Sequence, residues 1–141
     1  GGDGQSGGLD PMAEYQLDCS LAQDVRSALD TFTLAYVETA MWTLTDDDGN
    51  SLDYLGLHDV APETITKAQA DCAQFQAEYG RLFAGREDRA GHDYWLTRNG
   101  HGAGFWDGDW PKDIGRILTE AAHADGSCDW YVGDDGNVYQ A

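Results

Sequence analysis

Positive charge is scarce in this chain: eight lysines and arginines stand against 26 aspartates and glutamates, for a net charge of −18. A surface this acidic repels phosphate, so bulk-charge binding of nucleic acid or of an anionic membrane is excluded. Cysteine is scarce too. Cys19, Cys72 and Cys128 are far apart with no C-x-x-C pair, which argues against a zinc knuckle or a disulfide framework. Cys72 falls on the apolar seam of an expected helix, where a thiol serves as a small hydrophobe. No apolar run approaches the roughly 18 residues of a membrane span, and no charged-then-apolar leader follows Met12. The expectation is a soluble, cytoplasmic protein. Also missing are a serine nucleophile elbow, an H-E-x-x-H helix and a phosphate-cradling G-x-x-x-x-G-K-[ST] loop.

Residues 1–11 are glycine-rich and aperiodic and precede Met12, so they read as an expression-tag remnant, expected to be disordered. Residues 12–141 suffice for one compact domain that buries roughly two-thirds of its unfolded surface. Acidity is uneven along them. From Met12 to Thr64 eleven acids face only Arg26, the middle from Ile65 to Trp106 is neutral, and from Asp107 onward eight acids face Lys112 and Arg116. The two ends carry the charge.

Ser20 and Gln23 form a capping box ahead of Leu21, Val25, Leu29, Phe32, Tyr36 and Ala40, whose steps of three and four predict a helix over 20–43, closed against the core by Met41 and Trp42. An acidic turn follows at Asp46, Asp47 and Asp48, with Asp53 just beyond. It is not an EF-hand, because Gly49 stands at the fourth position of the loop and no glutamate at the twelfth. Pro62 and Glu63 suit the start of a second helix through Ile65, Ala68, Cys72, Phe75, Tyr79 and Leu82, pressed against the first and ended by Gly85. On its exposed side Asp71 and Glu78 are about 10 Å apart by the helical rise. Tyr94 to Arg98, Asn99-Gly100, and His101 to Trp106 then read as two strands joined by a two-residue turn. A third helix is expected over 113–124, and Asp129 to Val132, Gly133 to Gly136, and Asn137 to Tyr139 read as a second hairpin. The predicted fold is α+β, in the order ααββαββ: a small antiparallel sheet from two hairpins packed with about three helices.

The window from His92 to Asp107 concentrates titratable and aromatic residues. His92, Asp93, Arg98 and His101 supply a base, a carboxylate and a cation, but a hairpin sends alternate side chains to opposite faces, so convergence on one substrate is not expected. Two histidines nine apart lack a third compact ligand, and His58 and His123 lie far along the chain, so no metal and no cofactor is expected. Trp106 and Trp110, beside Trp95 and Trp130, offer either interface anchors or core.

The strings HDYWLTRNGHGAGFWD, TEAA and YVGDDGNVY resemble a family of small acidic proteins encoded by bacteriophages, prophages and plasmids, over most of residues 21–139. The resemblance implies a mobile-element origin in a bacterial host and no particular chemistry. This chain has Gly108-Asp109-Trp110 where a basic residue is expected in relatives. Origin and charge together suggest an accessory protein that binds other proteins, with no direct contact to nucleic acid or membrane. One form is a DNA mimic inhibiting a host DNA-binding or defence protein, its carboxylates spaced like phosphates. Candidate binding residues are Asp46, Asp47, Asp48, Asp53, Asp59, Asp71, Glu78, Asp107, Asp109, Asp134 and Asp135, with Trp106 and Trp110. The alternatives are a module working through an aromatic surface, and a small enzyme or metal-binding protein using His92 and His101.

Overall fold

The computed structural model describes residues 24–46, 48–52 and 54–141. The expected tag, the Ser20/Gln23 capping box, Cys19, Asp47 and Asp53 lie outside them. A helical stretch at 24–28 stops at Leu29, and the chain restarts at Asp30, whose carboxylate accepts the Thr33 N–H at 2.8 Å as N-cap of α1 (Thr31–Thr43). The helix expected over 20–43 is therefore broken. Aspartate competes for backbone donors and favours a cap over a helix interior, while Leu29 and Phe32 both still reach the core, so the apolar spacing runs across the break. Trp42, expected against the core, is 69% exposed.

The second helix, α2 (Pro62–Tyr79), opens at Pro62 with Glu63 in its first turn, as the sequence implies, and buries Ala68, Cys72 and Phe75. A 3-10 turn, Gly80–Leu82, follows, and Gly85 turns the chain at φ 85°.

The largest departure comes next. Residues expected as the first hairpin form α3 (Glu87–Arg98) and a loop. A two-residue hairpin turn requires positive φ at both central residues, yet Asn99 has φ −106° and only Gly100, at 67°, is left-handed. The His101 N–H reaches back to the Leu96 carbonyl at 3.1 Å, the six-to-one bond by which a glycine ends a helix. Asn-Gly serves both devices, and Glu87 and Asp88 at the positive end of the dipole, with Arg98 at the negative end, favour the helix.

The third expected helix is present as α4 (Lys112–Ala124), and the second expected hairpin as β1 (Trp130–Val132) and β2 (Val138–Gln140), antiparallel with Tyr131 opposite Tyr139. The fold is thus mixed helix and strand with a two-stranded antiparallel sheet, and among the described residues the stretch expected as the first hairpin is α3 and its loop.

Loss of the first hairpin changes the packing. α1 lies mainly against α3 and less against α2. Gly91 makes this approach feasible, since a Cβ there would sit 2.1 Å from the Phe32 carbonyl oxygen. Around the crossing, Phe75 stacks 4.1 Å from Tyr94 and 6.0 Å from Phe105, and Phe32 lies 5.3 Å from Phe83. Trp95 carries this core to the sheet by an edge contact with Trp130 at 5.2 Å. The hairpin is anchored through Val138, whose carbonyl accepts from the Ala61 N–H and the Thr64 hydroxyl. No helix among the described residues is long and apolar enough to cross a membrane.

Candidate functional site

Four residues of the His92 to Asp107 window were candidates for chemistry, and their helical setting sends them in different directions. Asp93 points inward with no exposure. One of its oxygens accepts from Trp110 Nε1 at 2.7 Å and Arg89 Nε at 3.3 Å, and the other has no hydrogen-bond partner among the described residues. Burial pushes its carboxyl above the usual carboxylate range, against the opposing pull of the Trp110 N–H and the Arg89 guanidinium. Arg98 is nearly sealed at the C-terminus of α3. It donates to the Gly126 carbonyl at 2.7 Å, the Asp125 carbonyl at 3.2 Å, the Tyr36 hydroxyl at 2.9 Å and the Asp71 carboxylate at 2.8 Å. It therefore ties the last turn of α3 to α1, α2 and the end of α4.

The histidines face different grooves. His92 places Nδ1 2.9 Å from Thr39 Oγ1 and stacks on Trp42 at 6.3 Å; with Glu38, Asp88 and Arg89 these residues line a groove of about 380 Å³ between α1 and α3. His101 is exposed in a second groove of about 350 Å³, beside Asn99, Cys128 and Trp130. Asp93 and Arg98, the carboxylate and cation singled out from the sequence, line neither groove, and His92 shares the first with Thr39 and Arg89 instead. Among the described residues no group of three histidines, cysteines or acids is arranged to hold a metal ion.

Carboxylates tell a different story. Asp46 accepts the Asp48 and Asn50 N–H groups, each at 2.9 Å, and closes the turn bridged by Thr45 and Ser51. Asp59 accepts the Gly56 N–H at 2.7 Å. Asp135 accepts from the Asn137 N–H at 2.9 Å and the Tyr139 hydroxyl at 2.5 Å, while Asp48 and Asp134 are exposed. Two contacts join opposite ends of the sequence near these acids. Val60 pairs with Val138, and Thr45 and Asp129 line the same groove. Tyr139 titrates above its ordinary range because its hydroxyl is bonded to Asp135, and Glu63 adds to the effect. Asp46, bonded first to the Asn50 N–H, and Asp135, bonded first to the Tyr139 hydroxyl, are held below the usual carboxylate range.

The other acidic candidates are dispersed. Asp71 is paired with Arg98 and Asp109 with Arg89; Asp107 accepts the Gly104 N–H at 3.3 Å, and Glu78 is exposed on α2. All six arginines turn onto the protein's own groups. Besides those pairs, Arg26 meets Glu38 at 2.9 Å, Arg81 donates to the Glu78 carbonyl, Arg86 donates to the Asp109 carbonyl and lies 4.2 Å from the Trp110 ring, and Arg116 is 3.9 Å from Asp113.

Of the two tryptophan candidates, Trp106 is 47% exposed and Trp110 is buried under Arg86 and bonded to Asp93. Among the described residues the most exposed large rings are Trp42 and Tyr54, the latter at 77%. Neither was singled out as a binding residue from the sequence. Trp42 lies two residues beyond buried Ala40, on the other side of the helix, and this accounts for its exposure.

Compared with models of protein families, with curated proteins and with solved structures, the chain gives no match.

Proposed function

We propose that the protein is a mobile-element accessory protein that acts by binding a basic protein, as an acidic decoy that occupies the DNA-binding groove of a host DNA-binding or defence protein. The observation that supports this reading is the meeting of the two acidic ends: Val60 pairs with Val138, and Glu63 lies near enough to Tyr139, whose hydroxyl donates to Asp135, to add to the rise in its titration. Among the described residues no lysine or arginine salt bridge reaches Asp48, Glu63 or Asp134, and Asp59 has His58 at 3.6 Å. A host surface built of arginine and lysine for phosphates finds carboxylates that form the same charge-assisted bonds.

The test is affinity capture from a bacterial lysate with the wild-type chain and with Asp48→Asn/Glu63→Gln/Asp134→Asn, three exposed positions. The expected partners are basic DNA-binding proteins that elute as salt shortens the Debye length from about 10 Å at 0.1 M to about 3 Å at 1 M, compete with duplex DNA, and are depleted in the triple variant. Partners indifferent to salt, or retained fully by the variant, refute the decoy.

A further inference from the structure

Trp42 stands on a ridge between two grooves. On one side are His92, Glu38, Asp88 and Arg89; on the other, in a groove of about 340 Å³, Met41, Leu52 and Leu55 lie beside the Arg26–Glu38 pair. One face of the indole is stacked toward His92, and the ring as a whole is 69% exposed. The indole is thus open to a partner between the two recesses.

Hydrogen bonding fixes the polarity of the first groove. The Thr39 hydroxyl has a single proton, which it donates to the Ala35 carbonyl at 2.7 Å. Two oxygens at that distance with no proton between them repel, so Thr39 Oγ1 must accept from His92, and Nδ1 carries the hydrogen. In the neutral ring Nε2 is then an obligate acceptor. Glu38 and Asp88 add carboxylates. The groove's one cation, Arg89, is directed at Asp93 and Asp109, and Glu38 is held only by an exposed pair with Arg26, which a partner's cation can replace. The recess is thus rich in acceptors with an aromatic wall.

We infer that this groove takes an arginine side chain from a basic protein partner, its guanidinium stacked on Trp42 and donating to Asp88, Glu38 and His92 Nε2, with a neighbouring apolar side chain seated over Met41, Leu52 and Leu55. Arginine fits better than lysine because its planar fork stacks on an indole and presents several donors at once, whereas an ammonium is a compact, strongly hydrated point charge. A net charge of −18 draws such a partner in. The inference rests on the proposed preference for a basic partner and adds the side chain that is read.

The experiment uses the full chain and two labelled peptides of equal length and charge, one built of alternating arginine and leucine and the other of lysine and leucine, followed by fluorescence anisotropy at low salt. The arginine peptide is expected to bind about threefold to fivefold more tightly. Trp42→Ala, at an exposed position where folding is retained, is expected to bring the two peptides to equal affinity without abolishing binding. His92→Phe, which keeps a ring and removes the acceptor, is expected to narrow the preference. Equal affinity in the wild type, or a preference unchanged in Trp42→Ala, overturns the arginine site while leaving the basic-partner reading intact. Failure of both peptides to bind overturns both.

Discussion

Replacing Arg98 with alanine tests whether the fold uses its arginines as internal fasteners. The guanidinium is 6% exposed and makes four hydrogen bonds, to Asp71, to Tyr36, and to the carbonyls of Asp125 and Gly126 at the end of α4. Removing one partner of a buried ion pair costs about 3–5 kcal/mol. The lower end applies here, because the Asp71 side chain is 36% exposed and recovers water once released. The two carbonyls end an exposed turn and do likewise, whereas the Tyr36 hydroxyl stays buried and loses a donor. A loss of about 3 kcal/mol corresponds to a fall in Tm of about 10–15 °C for a domain of this size. Urea unfolding followed by far-UV circular dichroism measures it, with Asp71→Asn and the double variant closing a cycle whose coupling should be about 1 kcal/mol. Arg98→Lys keeps the charge without the fork and should fall between wild type and alanine. If Arg98→Ala unfolds within about 0.5 kcal/mol of wild type, the guanidinium is not a fastener and the reasoning fails.

Gly91→Ala drives a methyl against the Phe32 carbonyl of α1 and should cost about 1–3 kcal/mol or more by forcing the helices apart, visible as a lowered urea midpoint; an unchanged midpoint would show that the crossing is loose. Asp93→Ala leaves the buried Trp110 N–H without its acceptor and should cost about 1–3 kcal/mol, whereas Asp93→Asn can keep that bond. Because the folded carboxyl titrates above its unfolded value, its stabilising effect is full below the ordinary carboxylate range and is lost as pH rises through the folded pKa. The stability of Asp93→Asn relative to wild type should accordingly be highest at neutral pH and decline on acidification, as measured by thermal melts across pH. Raising salt from about 0.01 M to 0.15 M contracts the Debye length from about 30 Å to 8 Å and should raise Tm by screening the excess carboxylates; a fall would mean that the exposed pairs outweigh the repulsion.

Where local chemistry and burial agree, the sequence reads truly. Pro62 starts α2, the apolar series from Ile114 marks α4, and Gly133 to Gly136 turns the hairpin. The failure at 94–106 has a definite cause. Tyr94 to Arg98 are all buried, so no alternation of polar and apolar residues betrays the helical period, and a short buried helix is indistinguishable from a strand by pattern alone. Asn99-Gly100 then tipped the reading toward a turn. The glycines at 100, 102 and 104 have separate uses: Gly100 and Gly102 take left-handed backbone in open space, and Gly104 lies where a Cβ would meet Thr97 Oγ1 at 2.2 Å. Among the site residues, the Asp46 turn was legible from its own composition, but the pairing of Asp71 with Arg98 was not, since it depends on α3 being a helix.

The kind of donor each carboxylate meets decides which side of the molecule stays charged. In the first half of α3 Arg89 meets Asp93 and Asp109, and at the C-terminal end of that helix Arg98 meets Asp71; these bonds cancel charge. Asp46, Asp59 and Asp135 instead accept from neutral backbone N–H groups and a tyrosine hydroxyl, which hold the oxygens in place and leave the charge intact, and His58 lies 3.6 Å from Asp59. For Asp46 and Asp135 those bonds also favour ionisation. Among the described residues no lysine or arginine salt bridge reaches the acids of the hairpin or of the 46–63 segment. A partner's cation approaching that side finds carboxylates already oriented and need not displace a competing charge, whereas one approaching Asp71 or Asp109 must first break an internal pair. The same allocation of arginines that fastens the fold therefore leaves the acids of the hairpin and of the 46–63 segment without an arginine partner among the described residues.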